Sequence, residues 1–342
     1  MPKRDVIVVG ASAGGIEALS ALLGALPADL DAAVLVVLHM PAGGGSALRR
    51  ILERTTPLPV ELAAEGAPLR SGRAYLAVGG HHLLVGSGVL HVSRGPRENG
   101  HPPGIDPLFR SAAAHFGPRV IGVVLSGSLS DGTAGLVAIR RNGGIAVVQD
   151  PADALYDGMP TSAIEQAGAD HVVPVGRMGD LVVRLASEWV GADVPRPDAP
   201  APDEAGGADG GDDADEHAGR PSPWPCPDCH GVLWEVEDGP VLRFRCRVGH
   251  AWSADSLLAE QADGVEGALW MALRALEDRA ALTRRLGDRA EAGGRVLSAA
   301  RYRDELAGMT HNIEIMRRLV ARPPGTTGDT GDRSGQGGEP DV

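Results

Sequence analysis

Ser12, His39 and Asp131 each follow one of the most apolar runs of the chain: Val6-Ile7-Val8-Val9, Val34-Leu35-Val36-Val37-Leu38 and Ile121-Gly122-Val123-Val124-Leu125. Brought together, they meet the needs of acyl transfer: a hydroxyl nucleophile, an imidazole to take its proton, and a carboxylate to fix the imidazole tautomer and stabilise its charged form. The serine lies in Gly10-Ala11-Ser12-Ala13-Gly14-Gly15, a turn too tight for bulky side chains, ahead of the amphipathic run Ile16–Leu23. There it adjoins a helix N-terminus, whose free N–H groups and dipole favour negative charge and could act as oxyanion donors, each worth about 10²–10³-fold. Taken alone, the turn fits a glycine-rich dinucleotide loop equally well. Taken singly, a histidine at a strand end is more often a structural residue, and an aspartate before Gly132 and a helix more often an N-cap. Their conjunction at three strand ends favours the nucleophile. His39 also stands where a dinucleotide fold needs an acidic residue, at the end of the second strand.

A second cluster lies towards the other end. Cys226-Pro227-Asp228-Cys229, sixteen residues, then Cys246-Arg247-Val248-Gly249-His250 reads C-x2-C…C-x3-H and uses every cysteine of the chain. Two ligands from each of two turns suit tetrahedral zinc, so Cys226, Cys229, Cys246 and His250 are the expected structural Zn ligands, with His230 as a substitute for His250. Val232–Val236 and Leu242–Arg245 flank Asp238-Gly239, a β-hairpin signal. Together these features predict a zinc ribbon of about thirty residues, too small to fold without its metal. Incidental reduced cysteines are the alternative; a thioredoxin-like pair lacks its strand–helix context around Cys226.

Strand-like and helix-like runs alternate from Val6 to about Val190, which predicts an α/β fold with a doubly wound, mainly parallel sheet. Strands are expected at Val6–Val9, Ala33–Leu38, Ala74–Val78, His82–Val85, Val89–Val92, Val120–Leu125, Ile145–Gln149 and His171–Pro174, with a small antiparallel hairpin excursion over roughly 74–92. Helices are expected at Ile16–Leu26, Ser46–Arg54, Ile105–His115, Gly132–Asn142, Thr161–Ala167 and Met178–Val190. In such a sheet the site lies beyond the carboxyl ends of the strands, where Ser12, His39 and Asp131 would converge. The expected domains are a catalytic domain over residues 1–190, an acidic disordered linker over 191–221, the zinc ribbon over 222–252, a helical hairpin over 253–322 and a disordered tail over 323–342. The hairpin's apolar faces, with Leu257, Leu258, Val265, Leu269, Met271, Leu273 and Leu276, suit docking to a protein partner or dimerisation.

The net charge of −13 argues against a phosphate-gripping nucleic-acid binder. Nine acids and two arginines within residues 193–220 account for −7 of it. No run of about 18 apolar residues exists, and the N-terminus leads straight into a strand, so neither membrane insertion nor a signal peptide is expected, and a cytoplasmic location is the default expectation.

Gly10-Ala11-Ser12-Ala13-Gly14-Gly15, Leu38-His39-Met40-Pro41 and Ser126-Gly127-Ser128-Leu129-Ser130-Asp131-Gly132 resemble the catalytic domain of the chemotaxis protein-glutamate methylesterases, the CheB type. So do Tyr75-Leu76-Ala77-Val78-Gly79-Gly80-His81-His82-Leu83, Ile105-Asp106-Pro107-Leu108-Phe109-Arg110-Ser111-Ala112-Ala113, Gln149-Asp150-Pro151 and Tyr156-Asp157-Gly158-Met159-Pro160. The resemblance covers about residues 5–190 and implies a Ser12-His39-Asp131 triad. It further implies hydrolysis of glutamate γ-methyl esters, often with glutamine deamidation, on a methylated chemoreceptor or similar helical signalling protein, with no cofactor for catalysis. Zinc ribbons similar to the one expected here are appended to some proteins of this type as interaction modules. The chain departs from the pattern at Ala13, where Thr is usual, and at Ser126, Ser128 and Leu129, which replace Thr, Met and the second Gly of Thr-Gly-Met-Gly-x-Asp-Gly. These departures also suit the alternative, a non-catalytic receptor-binding signalling scaffold that keeps the fold. With Val6 already opening the first strand, no receiver domain is expected ahead of it, and control by aspartyl phosphorylation in cis is not expected.

Overall fold

The computed structural model describes residues 2–41, 44–190 and 219–321. The linker expected over 191–221 lies outside the described residues except for its last three, and the tail expected over 323–342 lies wholly outside them. The chain divides into two compact units, Met1–Leu258 and Ala259–Val342.

In the first unit the elements run β1 (Val6–Ala11), α1 (Gly15–Gly24), β2 (Ala33–Leu38), α2 (Gly45–Leu52), β3 (Val60–Leu62), β4 (Arg73–Leu76), β5 (His82–Gly86), β6 (Val89–Ser93), α3 (Ile105–Phe116), β7 (Val120–Val124), α4 (Thr133–Arg141), β8 (Ile145–Gln149), α5 (Gly158–Ser162), β9 (His171–Val173) and α6 (Val175–Ser187). Seven strands form one sheet in the order β3-β4-β2-β1-β7-β8-β9, every pairing parallel. β1, β2 and β7 are buried along their whole length, as near-continuous apolar runs must be when helices cover both faces. Side chains of a strand alternate between faces. Accordingly Val6 and Val8 enter one core with Leu108 and Phe109 of α3 and Leu136 of α4. Ile7 and Val9 enter the other with Leu19 and Leu22 of α1 and Leu181 and Leu185 of α6. Each such fully buried side chain contributes roughly 1.5–3 kcal/mol of transfer free energy.

The antiparallel excursion is narrower than residues 74–92. Only β5 and β6 form the hairpin, while β4 lies in the parallel sheet between β2 and β3. The helix expected at Thr161–Ala167 begins earlier, at Gly158, and its second half, Ala163–Ala167, widens into a π-turn.

A second sheet follows, of β10 (Gly219–Pro225), β11 (Val232–Asp238), β12 (Val241–Cys246) and β13 (Ala251–Ser253), antiparallel in that order. The hairpin expected around Asp238-Gly239 is β11–β12, and Gly239 takes the left-handed conformation its turn requires. Pro221 and Pro225 are tolerated because β10 is an edge strand. α7 (Ala254–Ala292) begins in this unit.

The second unit holds the rest of α7 and α8 (Val296–Val320), joined at Gly293-Gly294. Leu273 and Ala280 of α7 pack with Met309 and Ile313 of α8. Arg317 donates to Glu277 at 2.6 Å across the pair, so the two helices run antiparallel. Among the described residues no helix is long and apolar enough to cross a membrane.

Candidate active site

β1 lies between β2 and β7, so the strands that precede Ser12, His39 and Asp131 are three neighbours in the sheet, and their carboxyl ends meet where the strand order reverses. This is where open α/β sheets place ligands. The structure brings all three residues together. His39 Nδ1 lies 3.0 Å from Ser12 Oγ, and His39 Nε2 lies 2.7 Å from Asp131 Oδ2. With Nε2–H donating to the carboxylate, Nδ1 is left with a lone pair facing the hydroxyl, the tautomer that can accept its proton.

Asp131 is the most heavily engaged side chain of the site. Besides His39, its oxygens accept from the backbone N–H of Ile105 at 2.8 Å, Asp106 at 3.2 Å and Gly132 at 3.0 Å, and from Asn99 Nδ2 at 3.0 Å. Burial alone would raise its pKa, but His39, the Ile105 N–H and the Asn99 amide outweigh burial and hold the carboxyl well below the usual carboxylate range. Asp106 is shifted the other way, raised by burial and by the negative charge of Asp131, against the pull of Arg243 and Arg110. Its Oδ1 accepts from Gly135 N at 2.6 Å, tying α3 to α4. Gly132, not Asp131, occupies the N-cap position of α4, so the expected capping alternative for the aspartate does not describe its role.

The turn around Ser12 is held by the facing loop. Ser12 N donates to Ser126 O at 3.0 Å, and Ser126 Oγ donates to Ala13 O at 2.8 Å. A Cβ on Gly127 would lie 2.8 Å from Ser12 Cβ and against Met159, so glycine is required for this close approach. With Ser12 N and Gly15 N committed, the backbone N–H groups left at the start of α1 include those of Ala13 and Gly14, for neither of which an acceptor is found among the described residues.

Leu129 adopts a φ of 62°, the left-handed region that strains a side-chain-bearing residue by about 1–2 kcal/mol. It is 39% exposed, so about three-fifths of its surface is buried and returns about 1–2 kcal/mol, which offsets the strain. Leu129→Gly relieves the strain but gives up that burial and adds unfolded-state entropy, so it is expected to leave stability within about 1 kcal/mol of the wild type. A calorimetric Tm raised by more than about 5 °C would contradict this.

Sequence reasoning passed over Asn99, His101 and Glu98. His101 stacks on His39 with ring centroids 3.9 Å apart. Burial and the neighbouring His39 push its pKa down to about 4, so it packs as a neutral ring near neutrality. A cleft of about 700 Å³ opens beside these rings, bordered by His39, Met40, Pro41, Arg97, His101 and Pro102. Glu98 is buried between Arg110 and Arg243, which, with Arg245, overcome its desolvation and lower its pKa to about 2.

Cys226, Cys229, Cys246 and His250 present ligand atoms all within 4.8 Å of one another. Cys229 Sγ and Cys246 Sγ are 3.6 Å apart, and His250 Nδ1 lies 3.7 Å from Cys226 Sγ and 3.5 Å from Cys246 Sγ. A tetrahedral zinc with Zn–S bonds of about 2.3 Å separates its sulfurs by about 3.8 Å. The donor set therefore fits one tetrahedral ion, and His230 is not part of it. Burial pushes the Cys226 thiol up to about 11, so a bound cation must displace its proton.

The profile of the family described as CheB methylesterase matches residues 7–182. A protein of Methanosarcina mazei named protein-glutamate methylesterase/protein-glutamine glutaminase 2 is 37% identical over 190 residues, covering 53% of this chain and 52% of that protein. A Geobacter metallireducens protein named protein-glutamate methylesterase/protein-glutamine glutaminase 3 is 40% identical over 186 residues, covering 53% and 52%. The chain thus spans about half the length of these curated relatives. The crystal structure of the Thermotoga maritima CheB methylesterase catalytic domain superposes with a TM-score of 0.52 at 30% identity, covering 53% of this chain and 98% of that one.

Proposed function

The chain belongs to the CheB methylesterase family, and from that premise we propose that it hydrolyses glutamate γ-methyl esters, and deamidates glutamines, on a methylated chemoreceptor or similar helical signalling protein. The observation that carries this reading is the unbroken hydrogen-bonded line from Ser12 Oγ through His39 to Asp131. Ser12 Oγ attacks the ester carbonyl carbon while its proton passes to His39 Nδ1. Asp131 stabilises the imidazolium through Nε2–H. The oxyanion is met by the Ala13 and Gly14 N–H groups at the start of α1. Collapse of the tetrahedral intermediate expels methanol, or ammonia from glutamine, with the proton returned by His39. Water activated by the same ring then releases the free glutamate from Ser12.

The Cys226, Cys229, Cys246 and His250 set is read as a structural zinc site with no part in the chemistry. Free thiols suit a reducing compartment such as the cytoplasm. The second unit, with exposed Val265, Trp270 and Met271, is read as the docking or dimerisation element.

Methanol release from a methylated chemoreceptor tests the reading, together with labelling of Ser12 by a fluorophosphonate. Both are expected in the wild type, with labelling lost in His39→Ala. Absence of labelling, or labelling indifferent to His39, would overturn the enzyme and favour the non-catalytic scaffold.

A further inference from the structure

We propose that the metal-binding sheet β10–β13 is a working part of the active site: when its Cys₃His set is loaded it holds Asn99, and Asn99 is a positioning residue for Asp131. The inference rests on the triad reading given above and deepens it by naming what the site depends on.

Asn99 stands between the two sheets and uses both ends of its amide. Nδ2 donates to Asp131 Oδ1 at 3.0 Å, and Oδ1 accepts from the Ser253 backbone N–H at 2.7 Å. Its backbone joins in, because Asn99 N donates to Ala251 O at 2.8 Å and Ala251 N to Arg97 O at 3.1 Å, a short parallel bridge between residues 97–99 and β13. Asn99 is 6% exposed and adopts a φ of 51°, a left-handed conformation that Asn tolerates better than most side-chain-bearing residues. Beside it, Ser130 Oγ donates to Ser253 Oγ at 2.8 Å, so the residue preceding Asp131 is tied to the same strand. Arg243 of β12 reaches Glu98, the residue preceding Asn99, at 3.2 Å.

The link to the metal set is equally short. Cys246 closes β12 and His250 immediately precedes β13, so two of the four ligands bracket the turn that delivers Ser253. Neighbouring residues of a strand point to opposite faces. Trp252 accordingly packs into the small core with Cys226 and Cys246, while Ala251 and Ser253 engage the catalytic sheet's loop. That core contains Cys226, Leu233, Phe244, Cys246, Trp252 and Leu257, two of them ligands, so its order depends on the ion.

The full chain is used throughout, as zinc-loaded protein and after chelation, in the wild type and in Asn99→Ala. Metal content, kcat and KM for methyl-ester hydrolysis, the rate of fluorophosphonate labelling of Ser12, and hydrogen exchange at the Asn99 and Ser253 amides are read. About one zinc per chain is expected. Stripping the wild type should lower kcat and the labelling rate by at least about tenfold with KM little changed, and should open both amides to exchange; added zinc should restore all three. Loaded Asn99→Ala should already show the lowered kcat with full metal content, and should lose little more on stripping. The proposal is overturned if stripped wild type keeps its kcat, or if loaded Asn99→Ala matches the wild type. It is also overturned if Asn99→Ala remains as sensitive to stripping as the wild type. Should chelation unfold the whole unit, the loaded Asn99→Ala comparison decides. Failure of the methylesterase reading is separable: the loaded wild type would then not be labelled at all, while zinc-dependent protection of Asn99 and Ser253 would still report the coupling.

Discussion

Ser12→Ala is expected to lower kcat for methyl-ester hydrolysis by about 10⁶-fold, the scale seen when a triad serine is removed from other serine hydrolases. The effect should fall on kcat rather than KM, because the bond from Ser12 Oγ to the carbonyl carbon forms only on the way to the transition state. The fold should be indifferent to the change. What anchors residue 12 is its backbone, through Ser12 N to Ser126 O and Gly15 N to Ser12 O, and alanine keeps both bonds. Thermal unfolding of the variant should therefore coincide with the wild type while fluorophosphonate labelling disappears. Retention of more than about a tenth of the wild-type kcat would remove Ser12 from the chemistry.

Asp131→Asn should cost nearly as much, about 10⁴-fold in kcat by the same analogy, but with a stability penalty that Ser12→Ala lacks. Five donors converge on the carboxylate. An asparagine side chain offers one accepting oxygen and turns an NH₂ group towards donors that then go unsatisfied, at about 1–3 kcal/mol each. Facing Nε2, that NH₂ group selects the opposite imidazole tautomer. A proton then sits on Nδ1, where Ser12 needs a base. Because the folded protein depresses the Asp131 pKa, the ionised carboxylate stabilises the wild type above the ordinary carboxylate range, and that contribution is lost as pH falls through the depressed folded value. The Tm gap between variant and wild type should thus be widest near neutrality and narrow as the solution falls below about pH 4. A gap that widened in acid would contradict the assignment.

The parallel sheet was legible wherever burial on both faces writes an uninterrupted apolar run. Ala33–Leu38 and Ile145–Gln149 have the bounds their composition predicts. β3 escaped because Val60-Glu61-Leu62 is only three residues long with a charge at its centre. β10 escaped because Gly219-Arg220-Pro221-Ser222-Pro223-Trp224-Pro225 carries three prolines, and only its edge position makes that composition a strand. Ser12, His39 and Asp131 were visible because each follows such an apolar run. Asn99 was not, since it lies in a loop without periodicity and acquires its role from contacts 32 residues away at Asp131 and 154 away at Ser253. Nothing local to a sequence marks a side chain whose partners are a distant loop and a strand of another sheet.

That separation of 154 residues between Asn99 and Ser253 has a consequence in time. At a synthesis rate of about 5–20 residues per second, Asp131 leaves the ribosome roughly 6–24 s before Ser253. Until then Asn99, although made before Asp131, has neither the Ser253 N–H that holds its side-chain oxygen nor the Ala251 carbonyl that holds its backbone. If Asn99 positions Asp131 as proposed, the aspartate is fully ordered only once β13 has been made, so the order of synthesis sets the order in which the site is completed.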